Sequence, residues 1–138
     1  MRMRAKAAAL LVALGALTVA GIAGAGTDKP EVLVGGPGGN YIHGAGGGDA
    51  IYGLGGDDIL FGDEGNDQVW GGHGNDVLYG GRGQDVLVGR WGDDRIYARD
   101  GERDFIHCGA GRDTVLVDLR DQVDVTCDKV VYPPGTQQ

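Results

Sequence analysis

Acidic side chains recur every nine residues through most of this chain, and each follows a short glycine-rich stretch. Cut from Gly35, the sequence gives the units GGPGGNYIH, GAGGGDAIY, GLGGDDILF, GDEGNDQVW, GGHGNDVLY, GGRGQDVLV and GRWGDDRIY. Positions one and four are glycine in every unit, position six is Asp or, once, Asn40, and position eight is aliphatic. Carboxylate and backbone carbonyl oxygens are the ligands that Ca²⁺ takes in proteins. The spacing therefore predicts a repeated divalent-cation site.

The candidate ligands are the position-six side chains and the glycines of the turns. The side chains are Asn40, Asp49, Asp58, Asp67, Asp76, Asp85, Asp94, Asp104 and Asp113. The glycines are Gly53, Gly55, Gly62, Gly71, Gly72, Gly74, Gly80, Gly81, Gly83 and Gly89. Glycine reaches positive φ without a steric penalty and lets carbonyl oxygens approach one point. Since Ca²⁺ takes about six to eight oxygens, we expect two stacked turns to share each ion.

The units GGHGNDVLY and GGRGQDVLV resemble the glycine-rich nonapeptide of RTX, or haemolysin-type, calcium-binding repeats. The resemblance covers residues 35–116. It implies an all-β fold: a parallel β-roll, which is a two-sheet right-handed solenoid with two units, or eighteen residues, in each coil. Such coils sort the position-six side chains into two rows. One row holds Asn40, Asp58, Asp76, Asp94 and Asp113, and the other holds Asp49, Asp67, Asp85 and Asp104.

The aspartates of a row have a simpler alternative role, because Asp often caps turns. Capping does not explain an acid at the same place in nearly every unit. Stacked strands lie about 4.8 Å apart, so neighbouring bare carboxylates would repel one another. A Ca²⁺ ion between row neighbours converts this repulsion into attraction, and the count of turn pairs predicts about four to seven ions.

Departures from the repeat predict weaker sites in some turns. Asn40 lowers the ligand charge at the first turn, and Leu54, Asp63 and Arg90 replace glycine at position two. One extra residue within 98–107 shifts the phase of the repeat, so we expect a disturbance near Asp104. The best sites are expected at Asp58, Asp67, Asp76, Asp85 and Asp94.

Residues 1–25 have the layout of a secretory signal peptide, with a basic start, an apolar run and the small residues Ala23-Gly24-Ala25 before a cleavage point. A transmembrane anchor is the alternative, but the run is rich in Ala and Gly. We therefore expect a secreted, extracellular protein with no membrane span after signal removal. The remaining parts are a lead-in at 26–34, a β-roll at 35–129 with a degenerate last coil, and a tail at 130–138.

Composition excludes several classes of function. The net charge is −8, whereas nucleic-acid binding requires clustered Lys and Arg. The chain has no serine and no HExxH motif, which excludes a serine hydrolase and argues against a zinc protease. The strict period of the carboxylates fits metal sites better than a glycosidase pair. We expect a monomer with no catalytic activity.

The two cysteines predict a disulfide that closes the C-terminal end. Cys108 and Cys127 are one coil plus one residue apart, which places them on adjacent turns within bonding reach. An exported protein also meets an oxidising compartment. Two free thiols are the alternative.

Position nine carries outward aromatic residues, which predict two ladders on the sheet faces. One ladder pairs Tyr52 with Trp70, and the other contains Phe61, Tyr79 and Tyr97. Cross-strand stabilisation is the simpler explanation. A docking face for a glycan or a protein partner is the other.

The aliphatic interior of such a roll is thin for a chain with 29 glycines. Backbone ordering costs about 1–2 kcal/mol per residue, so we expect Ca²⁺ binding to be coupled to folding. Two functions follow from the sequence: a calcium-responsive folding or buffering module, or a surface module that binds a partner. A metal-free, ice-binding type of solenoid is disfavoured because the repeats before residue 114 lack threonine.

Overall fold

In the computed structural model the described residues are 26–136, and they form strands, turns and bends without any helix. Six strands make up the odd sheet: β1 (Val32–Val34), β3 (Ala50–Gly55), β5 (Gln68–His73), β7 (Val86–Trp91), β9 (Phe105–Ala110) and β11 (Gln122–Val123). Six make up the even sheet: β2 (Tyr41–His43), β4 (Ile59–Glu64), β6 (Val77–Arg82), β8 (Arg95–Ala98), β10 (Thr114–Val117) and β12 (Lys129–Val131). Consecutive strands alternate between the two sheets.

Strand pairing confirms the coil length that the nine-residue repeat predicts. Every pair within a sheet is parallel, and Ile51 pairs with Val69 while Leu60 pairs with Leu78. The chain is thus an all-β solenoid of about six turns with a spacing of about 18 residues. Equivalent residues of alternate units therefore stack along the coil axis, which is what brings the aspartates of each row together.

The core consists of two columns of aliphatic side chains between the sheets, one from each sheet. Along each strand the side chains alternate in direction, so position eight points inward while positions seven and nine point outward. The buried position-eight residues are Leu33, Ile42, Ile51, Leu60, Val69, Leu78, Leu87, Ile96, Ile106 and Val115. Near the C-terminal end position one also carries buried side chains, at Ala98, Cys108 and Val117.

The aromatic ladders lie where position nine predicts them. Tyr52 stacks on Trp70 with ring centroids 4.5 Å apart. Phe61 stacks on Tyr79, which in turn stacks on Tyr97, with 4.6 Å between centroids in each pair. Stacking at close to the strand spacing stabilises neighbouring strands of a parallel sheet.

The phase shift near residue 100 is absorbed by the turn before β9. Phe105 pairs with Val86 and Ile106 with Leu87, so the strand resumes its register one residue late. Asp100 stabilises the enlarged turn by accepting hydrogen bonds from the backbone N–H groups of Gly83 and Glu102. The extra residue is thus held in the turn and does not displace the strand.

At the C-terminal end the last strands are short, and a disulfide joins Cys108 to Cys127 with their Cα atoms 5.1 Å apart. The expected bridge between adjacent turns is therefore present. The signal-peptide segment lies outside the described residues. Between residues 26 and 136 no helix is long and apolar enough to cross a bilayer.

Candidate metal centre

The position-six aspartates form two buried rows, one at each line of turns between the sheets. Each residue of the even row precedes a strand of the even sheet: Asn40, Asp58, Asp76, Asp94 and Asp113. Each residue of the odd row precedes a strand of the odd sheet: Asp49, Asp67, Asp85 and Asp104. All eight aspartates are at most 2% exposed. The structure therefore brings these candidates together as two lines of carboxylates.

Within a row, one oxygen of each carboxylate is used by the backbone of the previous coil. The backbone N–H of Asp58 donates to Oδ1 of Asp76 at 2.8 Å, and that of Asp76 donates to Oδ1 of Asp94 at 2.8 Å. In the odd row, the N–H of Asp67 donates to Oδ1 of Asp85 at 2.8 Å. These bonds orient each carboxylate along the coil axis.

The other carboxylate oxygen, Oδ2, is buried without a hydrogen-bond partner in all eight aspartates. A buried polar atom normally has a partner, because desolvation without one is costly. Eight equivalent exceptions in two rows indicate that a cation completes the site. The donor set, carboxylate oxygen with backbone carbonyls nearby, suits a hard ion such as Ca²⁺.

Electrostatics also favour a cation between row neighbours. Burial, together with the carboxylates one coil away, raises the pKa of Asp67 and Asp76 to about 7. Burial likewise raises the pKa of Asp85 and Asp94 to about 6, and that of Asp104 to about 8. A divalent ion removes both causes, because it replaces the lost solvation and neutralises the mutual repulsion.

Glycine at position one provides the room in which the free oxygen lies. Glycine in a turn is expected to have positive φ, but Gly71 does not. A Cβ on Gly71 would instead collide with Oδ2 of Asp76 and lie 2.9 Å from the carbonyl oxygen of Gly89. At Gly62 the same atom would lie 2.5 Å from Oδ2 of Asp67. Position one is thus glycine because the carboxylate oxygen of the same unit approaches its Cα too closely for a side chain to fit.

Positions two and four carry the unusual backbone conformation of the turn. Gly72 and Gly74 have φ of 116° and 125°. A Cβ on Gly74 would also collide with the carbonyl oxygen of Gly56, one coil earlier. The stacked turns therefore bring backbone carbonyls close to the glycine Cα atoms of the next coil. These carbonyls lie in the same line of turns as the aspartate row.

The non-glycine residues at position two keep the backbone conformation of glycine in their turns. Leu54, Asp63 and Arg90 adopt φ of 78°, 73° and 85°. Ala45, which the sequence reasoning overlooked, has φ of 73°. The repeat imposes the glycine conformation on these residues, and the row hydrogen bonds that follow are unchanged. Each of these residues holds about 1–2 kcal/mol of backbone strain.

The carboxylate of Asp104 keeps the regular arrangement of the row despite the shift in phase. Asp104 is fully buried, and its Oδ1 accepts the N–H of Asp85 at 2.8 Å as in the regular units. The enlarged turn before β9 absorbs the extra residue. The difference lies at position one, where Ala98 and Cys108 carry side chains in the units of Asp104 and Asp113. These two units therefore lack the position-one glycine of the earlier turns.

Asn40 partly replaces a cation with its own amide donors. Its Nδ2 donates to Oδ1 of Asp58 at 2.9 Å and to the carbonyl oxygens of Gly36 and Gly38. This N–H donor partly neutralises the Asp58 carboxylate through Oδ1 without a metal ion, while Oδ2 of Asp58 keeps no hydrogen-bond partner. The first turn of the even row is accordingly the least suited to hold a cation.

The rows extend further than the repeat alone shows. The N–H of Glu31 donates to Oδ1 of Asp49, the N–H of Asp104 to Oδ1 of Asp121, and the N–H of Asp113 to Oδ2 of Asp128. Sequence reasoning did not include Glu31, Asp121 or Asp128, because the repeat is degenerate there. Counting about one coil back from Asp49, and about one coil forward from Asp104 and Asp113, would have located all three.

Position five forms a second, exposed ladder that runs in the opposite direction. The N–H of Asn75 donates to Oδ1 of Asp57, and the N–H of Asp93 donates to Oδ1 of Asn75. The N–H of Arg112 continues the ladder by donating to Oδ1 of Asp93. This ladder explains Asp and Asn at position five as backbone caps. Capping therefore accounts for position five but leaves Oδ2 at position six unexplained.

Across residues 26–136 no three His, Cys, Asp or Glu side chains gather in the manner of a side-chain metal cage. A cation in these rows would thus take one carboxylate from each turn and draw the rest of its ligands from backbone carbonyls. Ca²⁺ accepts such a mixture readily. The residues present fit calcium and do not fit a zinc site, which requires N and S ligands.

Comparison with known families agrees with this chemistry. The family described as RTX calcium-binding nonapeptide repeat (4 copies) matches residues 22–60, 34–69, 52–87, 70–102 and 92–115. Together the matches span residues 22–115, which is more than half of the chain. Neither the curated proteins nor the solved structures give a significant match.

Proposed function

The chain belongs to the RTX calcium-binding nonapeptide repeat family, and from this premise we propose that its two aspartate rows bind Ca²⁺ and thereby fold the roll. The observation that carries the proposal is the set of eight buried Oδ2 atoms without a hydrogen-bond partner. The ligands are the row carboxylates together with carbonyl oxygens of the glycine turns. Bound calcium supplies a positive charge that joins one coil to the next.

Coupling to folding follows from the burial of these carboxylates. The interior holds one column of aliphatic residues from each sheet, and each folded coil also buries two acidic side chains. Without a cation the folded state bears their desolvation and mutual repulsion, whereas the unfolded chain leaves them in water. Any ligand that binds only the folded state stabilises it by mass action. The free energy of calcium binding therefore contributes directly to the free energy of folding of this protein.

Export would move the chain from low to high free calcium, so the coupling of binding to folding would delay folding until the chain is outside the cell. We propose that residues 1–25 direct secretion and that the roll at 35–129 follows a short lead-in, as the layout of the sequence predicts. Low free calcium within the cell would leave the chain unfolded before export, and higher calcium outside would fold it. We assign the roll a structural and calcium-binding role with no catalysis.

Isothermal calorimetry on the chelator-treated protein lacking residues 1–25 tests the assignment of the ligands. We expect several Ca²⁺ ions to bind, and Asp76→Asn to lower the apparent affinity by roughly tenfold or more, because it removes one carboxylate charge from the even row. The matched control is Asp93→Asn, which changes the same charge in the same line of turns but at the exposed position five.

The capping interpretation makes a different prediction. Asparagine keeps an oxygen that can accept the N–H of Asp58, so a purely capping Asp76 would tolerate the change. Equal calcium affinity for the Asp76→Asn and Asp93→Asn variants would contradict the proposed ligand role. Absence of any calcium binding at millimolar concentration would overturn the function itself.

A further inference from the structure

Gly72 leaves a gap on the outer surface of the odd sheet. In the register of β3, β5 and β7, Gly72 lies between Leu54 on the previous coil and Arg90 on the next. Since Gly72 has no side chain, a cleft of about 350 Å³ opens above it, with Trp70 and His73 on its two sides. The cleft is thus produced by one glycine in a row of larger residues.

Both end walls of this cleft are residues held in an unfavourable conformation. Leu54 and Arg90 have φ of 78° and 85°, in a row where Gly72 and Gly109 also have positive φ. Leu54 is nevertheless 50% exposed, so burial of its side chain does not offset the strain. The stacked turns of the repeat impose this conformation, so the backbone holds both wall residues in fixed positions.

Aromatic surfaces line the cleft along its length. Trp70 stacks on Tyr52, and His73 stacks on Trp91 with ring centroids 4.2 Å apart and planes 8° from parallel. Trp91 is 48% exposed. The stacked rings cover one another's faces, so the solvent meets their edges and the exposed part of Trp91, an apolar patch of the kind that marks interaction sites on otherwise polar proteins.

A second cleft continues the first along the coil axis. It has a volume of about 540 Å³ and lies over Gly109, which pairs with Arg90 on the preceding coil. Arg90 and Trp91 line both clefts. The two gaps are two coils apart, or about 10 Å at the usual strand spacing. Together they form one open groove, which we name the Arg90 groove.

The charge of the Arg90 groove is opposite to that of the molecule. No Asp or Glu lines either cleft, although the chain carries a net charge of −8. Within residues 26–136 Arg90 makes no ion pair, and its guanidinium carbon lies 5.9 Å from the centre of the Trp91 ring. His107 at the far end already contacts Asp124 at 3.2 Å. Arg90 is therefore the cation available to a ligand.

We propose that the Arg90 groove binds an acidic polysaccharide, with a uronate carboxylate on Arg90 and sugar rings against Trp91 and Trp70. An arginine fork pairs with a carboxylate through two hydrogen bonds. The apolar faces of sugar rings suit the exposed part of Trp91, and the second cleft, which continues past Arg90 to Ala110, gives room for further sugar units of a polymer. This inference goes beyond the proposed function and requires of calcium only that the roll is folded.

Titration of the calcium-saturated protein with a defined oligosaccharide tests the proposal. The probe is a hexasaccharide with glucuronate at alternate positions, and the control probe is the same compound with its carboxylates reduced to alcohols. We expect the acidic probe to bind and the reduced probe to bind at least about tenfold more weakly, because the Arg–carboxylate pair is lost.

Variants separate the groove from general charge attraction. Arg90→Gly removes the cation and also relieves the positive φ, so the variant is expected to fold, and it should weaken binding of the acidic probe by roughly tenfold. Arg95→Gln is the matched control, since Arg95 is an exposed arginine on the even sheet. Calcium binding and the far-UV spectrum should be unchanged in both variants.

Three results would overturn the proposal. One is the absence of binding by the acidic hexasaccharide to a protein that binds calcium normally. Another is equal weakening by Arg90→Gly and Arg95→Gln, which would indicate diffuse charge attraction. The last is equal affinity for the acidic and the reduced probe. None of these results would affect the proposed calcium function, which calorimetry with Ca²⁺ tests separately.

Discussion

Glycine at position one is the residue on which the metal site depends most directly. A Cβ at Gly71 would occupy the space of Oδ2 of Asp76 and approach the carbonyl oxygen of Gly89. Position three is different, because a Cβ on Gly55 would meet its nearest atom, the carbonyl oxygen of Pro37, at 3.6 Å. From Gly35 to Gly89 the repeat therefore keeps position one free of a side chain, while position three accepts Glu64, His73 and Arg82.

This contrast predicts opposite outcomes for two alanine substitutions. Gly71→Ala should destabilise the calcium-saturated protein by about 1–3 kcal/mol, the usual cost of overpacking, and should weaken calcium binding. Gly55→Ala should leave both quantities within about 0.5 kcal/mol of wild type. Thermal unfolding at a fixed calcium concentration measures the difference. Equal stability of the two variants would show that Oδ2 of Asp76 is not confined by Gly71.

At the scale of the strands, the nine-residue period predicts most of the fold. Position eight identifies the core, from Ile42 to Val115, and two units per coil predict the pairing of Ile51 with Val69. These features follow from the sequence because a repeat applies the same local rule to every coil. The ladder of Phe61, Tyr79 and Tyr97 follows for the same reason.

Features that depend on single deviations from the repeat could not be predicted in this way. The turn before β9 absorbs its extra residue because the hydrogen bonds of Asp100 hold it outside the strand register. Leu54 and Arg90 retain the glycine conformation because neighbouring coils fix the turn. Both outcomes are tertiary effects in which a regular array overrides a local preference.

The disulfide is expected to stabilise the C-terminal strands in particular. Cys108 belongs to β9, and Cys127 lies just before β12. Closing a loop of this length contributes about 3 kcal/mol by restricting the unfolded chain. Reduction should therefore accelerate amide hydrogen exchange in β10, β11 and β12 while leaving β4 to β6 protected. Uniform acceleration across all coils would contradict this local role, because a solenoid transmits stability mainly between neighbouring coils.

For the molecule as a whole, the buried carboxylates predict an unusual response to pH. Burial raises the pKa of Asp67 and Asp76 to about 7 and that of Asp104 to about 8. A raised pKa means that the folded, metal-free roll binds more protons than the unfolded chain. Its stability is therefore greatest below about pH 4, near the unfolded pKa, and is lost as the pH rises through 6 to 8.

We accordingly expect the chelated protein to contain more β-structure at pH 5 than at pH 8. Calcium binding should have the opposite pH dependence and strengthen as the pH rises, because protons compete with the metal for the same oxygens. Far-UV circular dichroism in chelator across this range provides the measurement. A metal-free protein that gains structure as the pH rises would contradict the burial of unpaired carboxylates in the rows.

The residues of the candidate site were largely predictable from the sequence, whereas the points at which the two rows end were not. The aspartates from Asp49 to Asp113 follow from the period, and the two-row arrangement follows from two units per coil. Glu31, Asp121 and Asp128 join the rows through backbone hydrogen bonds where the repeat has decayed. The Arg90 groove depends on which residues flank Gly72 on adjacent coils, a property of the register that no single unit contains.

The most direct test of the central claim is whether calcium builds the roll. The protein lacking residues 1–25 should be measured by far-UV circular dichroism at neutral pH, first in chelator and then during titration with Ca²⁺, with Mg²⁺ as the control ion. We expect a largely unfolded spectrum that becomes a β spectrum as Ca²⁺ saturates, with little change in Mg²⁺, which demands a tighter octahedral shell. A β spectrum that is already complete in chelator at neutral pH, and that Ca²⁺ does not alter, would contradict the account.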